Sequence, residues 1–137
     1  MLTKPYSSNQ TCKKTCCIGP KPVKAGEVIH DGAIAFLTAD GHVVNAGHAD
    51  AVAGPFRAGV SGTTGGGTAD NTAGEDGDCS VKLCKGIFSY EHDGVTPADI
   101  GTPAAIVDNN TVAPGGADPN VTIWDVTADG CVEVRFH

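Results

Sequence analysis

Apolar and polar residues alternate along this chain in short runs, broken every few positions by glycine, proline or an Asp-Gly pair. In the run that begins at Cys79, Cys79, Val81 and Leu83 are apolar while Ser80 and Lys82 are polar. That period of two predicts a half-buried strand. Gly86 interrupts it and predicts a bulge or bend before "IFSYE". The closing run "CVEVRF" (131–136) places Val132, Val134 and Phe136 on one face and Cys131, Glu133 and Arg135 on the other. Further strands are predicted over "GEVIH" (26–30), "AIAFLT" (33–38), "FRAGVS" (56–61) and "VTIWDV" (121–126). "AAIVDNNTV" adds another pair around an Asn109-Asn110 turn. Asp31-Gly32, Asp40-Gly41, Asp93-Gly94 and Asp129-Gly130 are tight-turn signals, because both central positions of a type I′ turn need positive φ. "TPADIG" (96–101) predicts one helical turn, with Thr96 as cap, Pro97 at the first position and Gly101 at the exit. The pattern predicts an all-β fold: an antiparallel β-sandwich or barrel of about eight short strands with one short helical turn.

Two stretches depart from the alternation. Residues 1–24 contain Pro5, Gly19, Pro20 and Pro22 and predict an extended, irregular arm. Residues 62–78, "GTTGGGTADNTAGEDGD", predict a long loop, either mobile or functional. The chain therefore divides into an arm over 1–24 and a β-sandwich or barrel domain over 25–137. With 137 residues it is long enough to bury one core without help from a metal or disulfide. One Trp, two Tyr, four Phe and one Met leave that core to Val, Ile, Ala and Leu.

Charge sharpens the division. The arm holds Lys4, Lys13, Lys14, Lys21 and Lys24 and no acid, while the rest of the chain holds all sixteen acids against four basic residues. A basic arm on an acidic body favours docking of the arm on a neighbour in a homo-oligomer. Nucleic acid is a poor partner for such a body, because phosphate affinity needs clustered Lys and Arg. "MLTKPYSSNQTCKK" lacks the apolar segment of a signal peptide, and no apolar run approaches the length of a membrane span, so synthesis in the cytoplasm and no membrane partner are expected.

No constellation carries chemistry. The cysteines fall as C-x3-C-C (Cys12, Cys16, Cys17) and C-x4-C (Cys79, Cys84), with Cys131 alone, and neither spacing is that of a zinc site. Cys79 has the parity of a buried filler. Cys84 and Cys131 have polar-face parity, so oxidation after release from the cell could link them within or between subunits. Cys12, Cys16, Cys17, Cys84 and Cys131 are thus the candidate disulfide or thiol sites, and six cysteines leave fifteen complete pairings open. His48 and His92 stand beside carboxylates, but without the helical spacing that sets two metal ligands on one face. "GTTGGGT" lacks the Gly-Lys-Ser/Thr ending of a phosphate loop. Asp70, Glu75, Asp76 and Asp78 lack the twelve-residue calcium-loop spacing. The expectation is a protein without cofactor, metal or catalytic residues.

Three stretches carry a resemblance. "GVSGTTGGGTADNTAGEDGDCSVKLCKGIFSYE", "ADIGTPAAIVDNNTV" and the final "CVEVRF" together resemble a family of small tailed-bacteriophage capsid decoration, or cement, proteins. The matching positions include Gly59-Val60, Ala69 to Gly74, Asp76 to Asp78, Gly86 to Phe88, Asp99 to Gly101 and Asp108 to Val112, and the likeness spans roughly 24–136. The cysteines and the cysteine-bearing basic arm depart from the family pattern. The resemblance implies a virion protein on the outer surface of the phage capsid, made in the bacterial host. Its partners would be the major capsid protein at capsomer junctions and its own copies, as a trimer rather than a dimer; the contacts of the arm lysines are expected from the charge division, not from the resemblance. A carbohydrate- or receptor-binding β-sandwich on a virion or cell surface is the alternative.

Overall fold

A computed structural model describes residues 2–3, 16–61 and 67–137. Eleven strands and one 3-10 turn make up its regular structure. The strands are β1 (Cys16–Pro22), β2 (Val28–His30), β3 (Ile34–Leu37), β4 (Val43–Asn45), β5 (Ala53–Gly59), β6 (Thr68–Asp70), β7 (Ser80–His92), β8 (Ala104–Ile106), β9 (Thr111–Pro114), β10 (Val121–Val126) and β11 (Cys131–Phe136). The predicted all-β, sandwich-like class is the observed one, and Pro97–Asp99 forms the predicted single turn. There the Thr96 N–H donates to Asp99 Oδ2 at 2.8 Å, tying the entry of the turn to its third residue.

β7 organises the molecule. Its first half lies between β1 and β5, and its second half pairs antiparallel with β11 and, at Glu91 and His92, parallel with β9. Gly86 does not divide it: Lys85 pairs with Cys16 and Gly86 with Phe136, so one strand of 13 residues passes from one set of neighbours to the next. A φ of 150° at Gly86 belongs to a backbone region that glycine alone occupies without strain.

Each half of β7 closes a ring of strands. In the first ring β7, β11 and β10 follow in order; the outer edge of β10 meets residues 101–103, where Gly101 N–H donates to Ile123 O and Pro103 bridges Thr122. The chain then enters β8, which pairs with β9, which returns to β7. The second ring runs β7, β5, β3 and β4, and closes where Val23 and Lys24, just beyond β1, meet Val43. Closure of this kind satisfies backbone groups that open sheet edges leave unpaired.

The two rings hold two cores, which explains the pattern along β7. Val81 and Leu83 point into a cluster with Val23, Ile29, Ala35, Val43, Ala58 and Ala69. Cys84, Phe88 and Tyr90 point to the opposite side, into a cluster with Ile34, Val112, Ile123, Val132, Val134 and Phe136. The apolar face therefore changes sides between Leu83 and Cys84, and the predicted polar-face position of Cys84 is corrected: its side chain is buried. In the larger cluster Phe136 packs against Phe88 and Tyr90 at centroid distances of 5.7 and 5.8 Å. Aliphatic residues and alanine supply most of the remainder, as composition requires.

Asp40-Gly41 and Asp129-Gly130 join the hairpins β3–β4 and β10–β11, and the Asn109-Asn110 turn joins β8 to β9. Asp31-Gly32 is not a hairpin turn, because β2 pairs with β6 while β3 pairs with β4 and β5. Asp31 is instead a buried hub: Oδ1 accepts the Val60 N–H at 2.8 Å and Oδ2 the Arg57 guanidinium at 3.3 Å. Asp93-Gly94 likewise closes no hairpin and leads from β7 toward the 3-10 turn.

Over residues 16–24 the expected irregular arm is corrected, and residues 4–15 of it lie outside the described residues. Residues 16–22 are β1, paired with β7 along its outer side, with a register shift between Ile18 and Lys21. Proline is compatible with this strand because it lies on an edge, where an absent N–H leaves no ladder partner unsatisfied, and because the shift sits at Gly19-Pro20. Val23 is 0% exposed and Lys24 N–H donates to Val43 O, so the end of the expected arm belongs to the second core. Part of the expected 62–78 loop is regular as well: Thr68–Asp70 is β6, held by β2.

Candidate interaction surface

β1 is the most open element of the described fold. Cys16 to Pro20 are all exposed, β7 is its only strand partner among the described residues, and Ile18 presents an exposed aliphatic side chain. An edge strand with an unpaired outer side is a template for another chain. The predicted contact lysines distribute around it unevenly. Lys21 lies on β1, opposite Val81. Lys24 lies beyond it, with Nζ 3.9 Å from Asp50 Oδ2, a surface pair of small energetic weight. Lys4, Lys13 and Lys14, and Cys12 with them, lie outside the described residues.

The body's four basic residues are mostly engaged within the fold. Arg57 is buried on Asp31 and lies over the Phe88 ring. Lys85 donates to Pro55 O at 2.6 Å and sits 4.4 Å from the Phe56 ring centroid; burial lowers its pKa, partly offset by Asp118. Arg135 lies over the indole of Trp124 at 5.5 Å. Lys82 is exposed beside β1, so it and Lys21 give the β1 side of β7 its positive charge.

The cysteines resolve into one pair and three free thiols among the described residues. Cys17 and Cys84, Cα partners across β1 and β7, form a disulfide that closes a sequence separation of 67 residues. Cys16, Cys79 and Cys131 are free. Of the pairings the sequence leaves open, Cys17–Cys84 is the one formed, because these two are Cα partners across β1 and β7 whereas Cys131 stands opposite Glu91 at the far end of β11. Cys79 is half-buried against the second core, with Sγ 3.5 Å from Asp70 O.

The acidic segment 70–78 is held by its own carboxylates. Asp76 Oδ1 accepts the Ala25 N–H at 2.8 Å and Asp78 Oδ2 the Glu75 N–H at 2.9 Å. Asp70 accepts from both the hydroxyl and the N–H of Thr72, which hold its pKa below the ordinary carboxylate value. The Ala25 N–H does the same for Asp76. Asn71 is the keystone: it is 1% exposed, and Nδ2 donates to Val23 O at 3.1 Å and to Glu75 O at 2.8 Å. Gly74 packs so tightly against it that a Cβ there would lie 2.0 Å from Asn71 Oδ1. These residues carry the resemblance, and their task here is to fix a loop across Val23 to Glu27. Among the described residues no group of three or more His, Cys, Asp or Glu is arranged to hold a metal ion. His48 Nδ1 accepts the Asp50 N–H and His92 Nδ1 the Val95 N–H, both as parts of turns.

Two open clefts flank these features. One, of about 640 Å³, lies between the β1 register shift, the end of β5 and the start of β7, and its lining includes Pro20, Val60, Cys79 and Lys82. No carboxylate or imidazole lines it among the described residues, so an acid–base pair is not assembled there. The other, of about 520 Å³, is lined by the chain's own Leu2 and Thr3 together with Glu27, His30, His48 and Asn109. Asn109, read from the sequence only as a turn residue, is buried and clamps Leu2: Oδ1 accepts the Leu2 N–H at 2.8 Å and Nδ2 donates to Leu2 O at 3.4 Å. Nothing local in "DNNT" distinguishes such a clamp from an ordinary turn asparagine.

Compared with protein-family profiles, with curated proteins and with solved structures, the chain matches none of them. Among the described residues no helix is long and apolar enough to cross a membrane. The structure defines a sandwich-like all-β protein whose most open backbone is a basic edge strand.

Proposed function

We propose that this chain is a structural decoration protein of a tailed-phage head, bound to the major capsid protein on the outside of the shell and to its own copies. The observation that carries the reading is the pairing of an exposed edge strand, β1, with the lysine-bearing segment that leads into it, on a body that is otherwise acidic. Main-chain hydrogen bonds from such an edge supply affinity, and the lysines select an acidic neighbour. The motif resemblance supports the same reading, and its residues serve here as loop supports, a role suited to a clamp. A protein that binds only the assembled shell stabilises it by mass action, and repeated weak contacts add through multivalency.

Quantitative mass spectrometry of purified particles from the source of this sequence tests the proposal. A copy number in the hundreds, comparable with that of the shell subunit, is expected, and particles without the chain would overturn it. The alternative, a carbohydrate- or receptor-binding sandwich, has one feature in its favour: Trp124 is 46% exposed and stacked by Arg135. Tyr90 is fully buried and Tyr6 lies outside the described residues, so among the described residues no Trp or Tyr cluster accompanies it. Retention on a glycan array, lost on Trp124→Ala, would favour that reading.

A further inference from the structure

The Cys17–Cys84 disulfide joins two residues that already face each other across paired strands. Elsewhere in the sheet such a bond would add to an element paired on both sides, but among the described residues β1 is paired with β7 alone. Cys16 to Pro20 are exposed, the register breaks between Ile18 and Lys21, and Pro20 and Pro22 have no N–H to donate. One residue further on the situation reverses. Val23 is fully buried, its N–H donates to Cys79 O at 2.8 Å, and its carbonyl accepts from Asn71 and Gly77. The chain thus changes at Pro22 from an exposed strand held by a one-sided, interrupted ladder and one covalent bond to a segment held by the core.

The two sulfurs also differ in access. Cys84 is 6% exposed, inside the larger core, whereas Cys17 is exposed on the edge strand. A small thiol reaches the bond from the Cys17 side. Reduction then leaves Cys84 as a small apolar filler in a site that needs no partner.

We propose that this disulfide is a redox-operated staple for the arm. With the bond reduced, residues 16–22 leave β7; with it formed, they lie along β7 as an edge strand. In forming it, the two thiols lose two protons and two electrons to a low-molecular-weight disulfide, such as oxidised glutathione, which departs as two thiols. A thiol reductant runs the step backward. Residues 16–22 are accordingly released from β7 in a reducing cytoplasm and stapled to it in an oxidising medium. This inference concerns the arm itself and does not depend on what the arm grips.

Hydrogen-exchange mass spectrometry on the full chain, oxidised and then reduced with a phosphine, tests it. Peptides covering residues 16–22 are expected to exchange at least about tenfold faster after reduction, while those of β11 change by less than about twofold, as for a local opening. Cys17→Ser reproduces the reduced pattern under both conditions, and Cys16→Ser behaves as the parent. Equal protection of residues 16–22 in both states overturns the proposal. So does equal acceleration of β1 and β11, which would make the bond a brace for the whole fold. Peptide mapping that finds Cys17 and Cys84 as free thiols after oxidation overturns it as well.

Discussion

Replacing Asn71 with alanine, and separately with aspartate, probes how the 70–78 loop is held. The parent carboxamide is buried and gives two hydrogen bonds, to Val23 O at 3.1 Å and Glu75 O at 2.8 Å. Alanine removes both. Val23 O retains the Gly77 N–H at 3.0 Å and Glu75 O the Asp78 N–H at 3.2 Å, so neither acceptor is left bare. With net values of about 0.5–1.5 kcal/mol per bond, the cost of losing two is roughly 1–3 kcal/mol. For a domain of this size that lowers the thermal midpoint by roughly 10 °C. Aspartate keeps the shape but turns a donor into an anion facing two carbonyl oxygens, and an uncompensated buried charge costs about 3–5 kcal/mol. The order of stability is therefore parent, then Asn71→Ala, then Asn71→Asp. Lowering the pH toward about 4 returns part of the aspartate loss, because a protonated carboxyl donates one bond again. Urea titration followed by tryptophan fluorescence, repeated at neutral and acidic pH, measures all three. An aspartate variant as stable as the parent, or more stable than the alanine variant at neutral pH, would refute the reasoning.

Three other perturbations follow from the same geometry. Gly74→Ala forces a Cβ to within 2.0 Å of Asn71 Oδ1 and is expected to cost about 1–3 kcal/mol, read as a lower urea midpoint without a changed slope. Arg57→Ala strands the buried Asp31 carboxylate, 3.3 Å from its guanidinium partner, and should cost about 3–5 kcal/mol, with less lost when Asp31 is replaced by Leu in the same chain. Asp70 is held below the ordinary carboxylate pKa first by the Thr72 hydroxyl. A depressed folded pKa gives stability that is complete above the unfolded value, about pH 4, and is lost as the pH falls through the folded value. The deficit of Thr72→Val in thermal midpoint should accordingly be present at pH 6 and shrink in acid; an equal deficit at both pH values would contradict the assignment.

The local grammar of the chain determined its class. Period-two runs, Asp-Gly pairs and the Thr-Pro start of a capped turn act over a few residues, and the hairpins at Asp40-Gly41 and Asp129-Gly130, the turn at Pro97–Asp99 and the buried face of β11 were legible from them. Asp31-Gly32 carries the same signal as Asp40-Gly41 but makes no hairpin, because the choice of partner belongs to β5 and β6, far along the chain. Parity failed at Cys84 for a related reason: a strand that borders different cores at its two ends has a buried face that changes sides, and alternation alone does not say where. The proline-rich arm read as irregular since proline is excluded from central strands, but only tertiary placement on an outer edge makes its missing N–H groups harmless. Which cysteine meets which, and that an asparagine in a polar loop is buried, depended on contacts across 67 and 48 residues of sequence. Local patterns set what each segment is able to be; long-range packing decided what it touches.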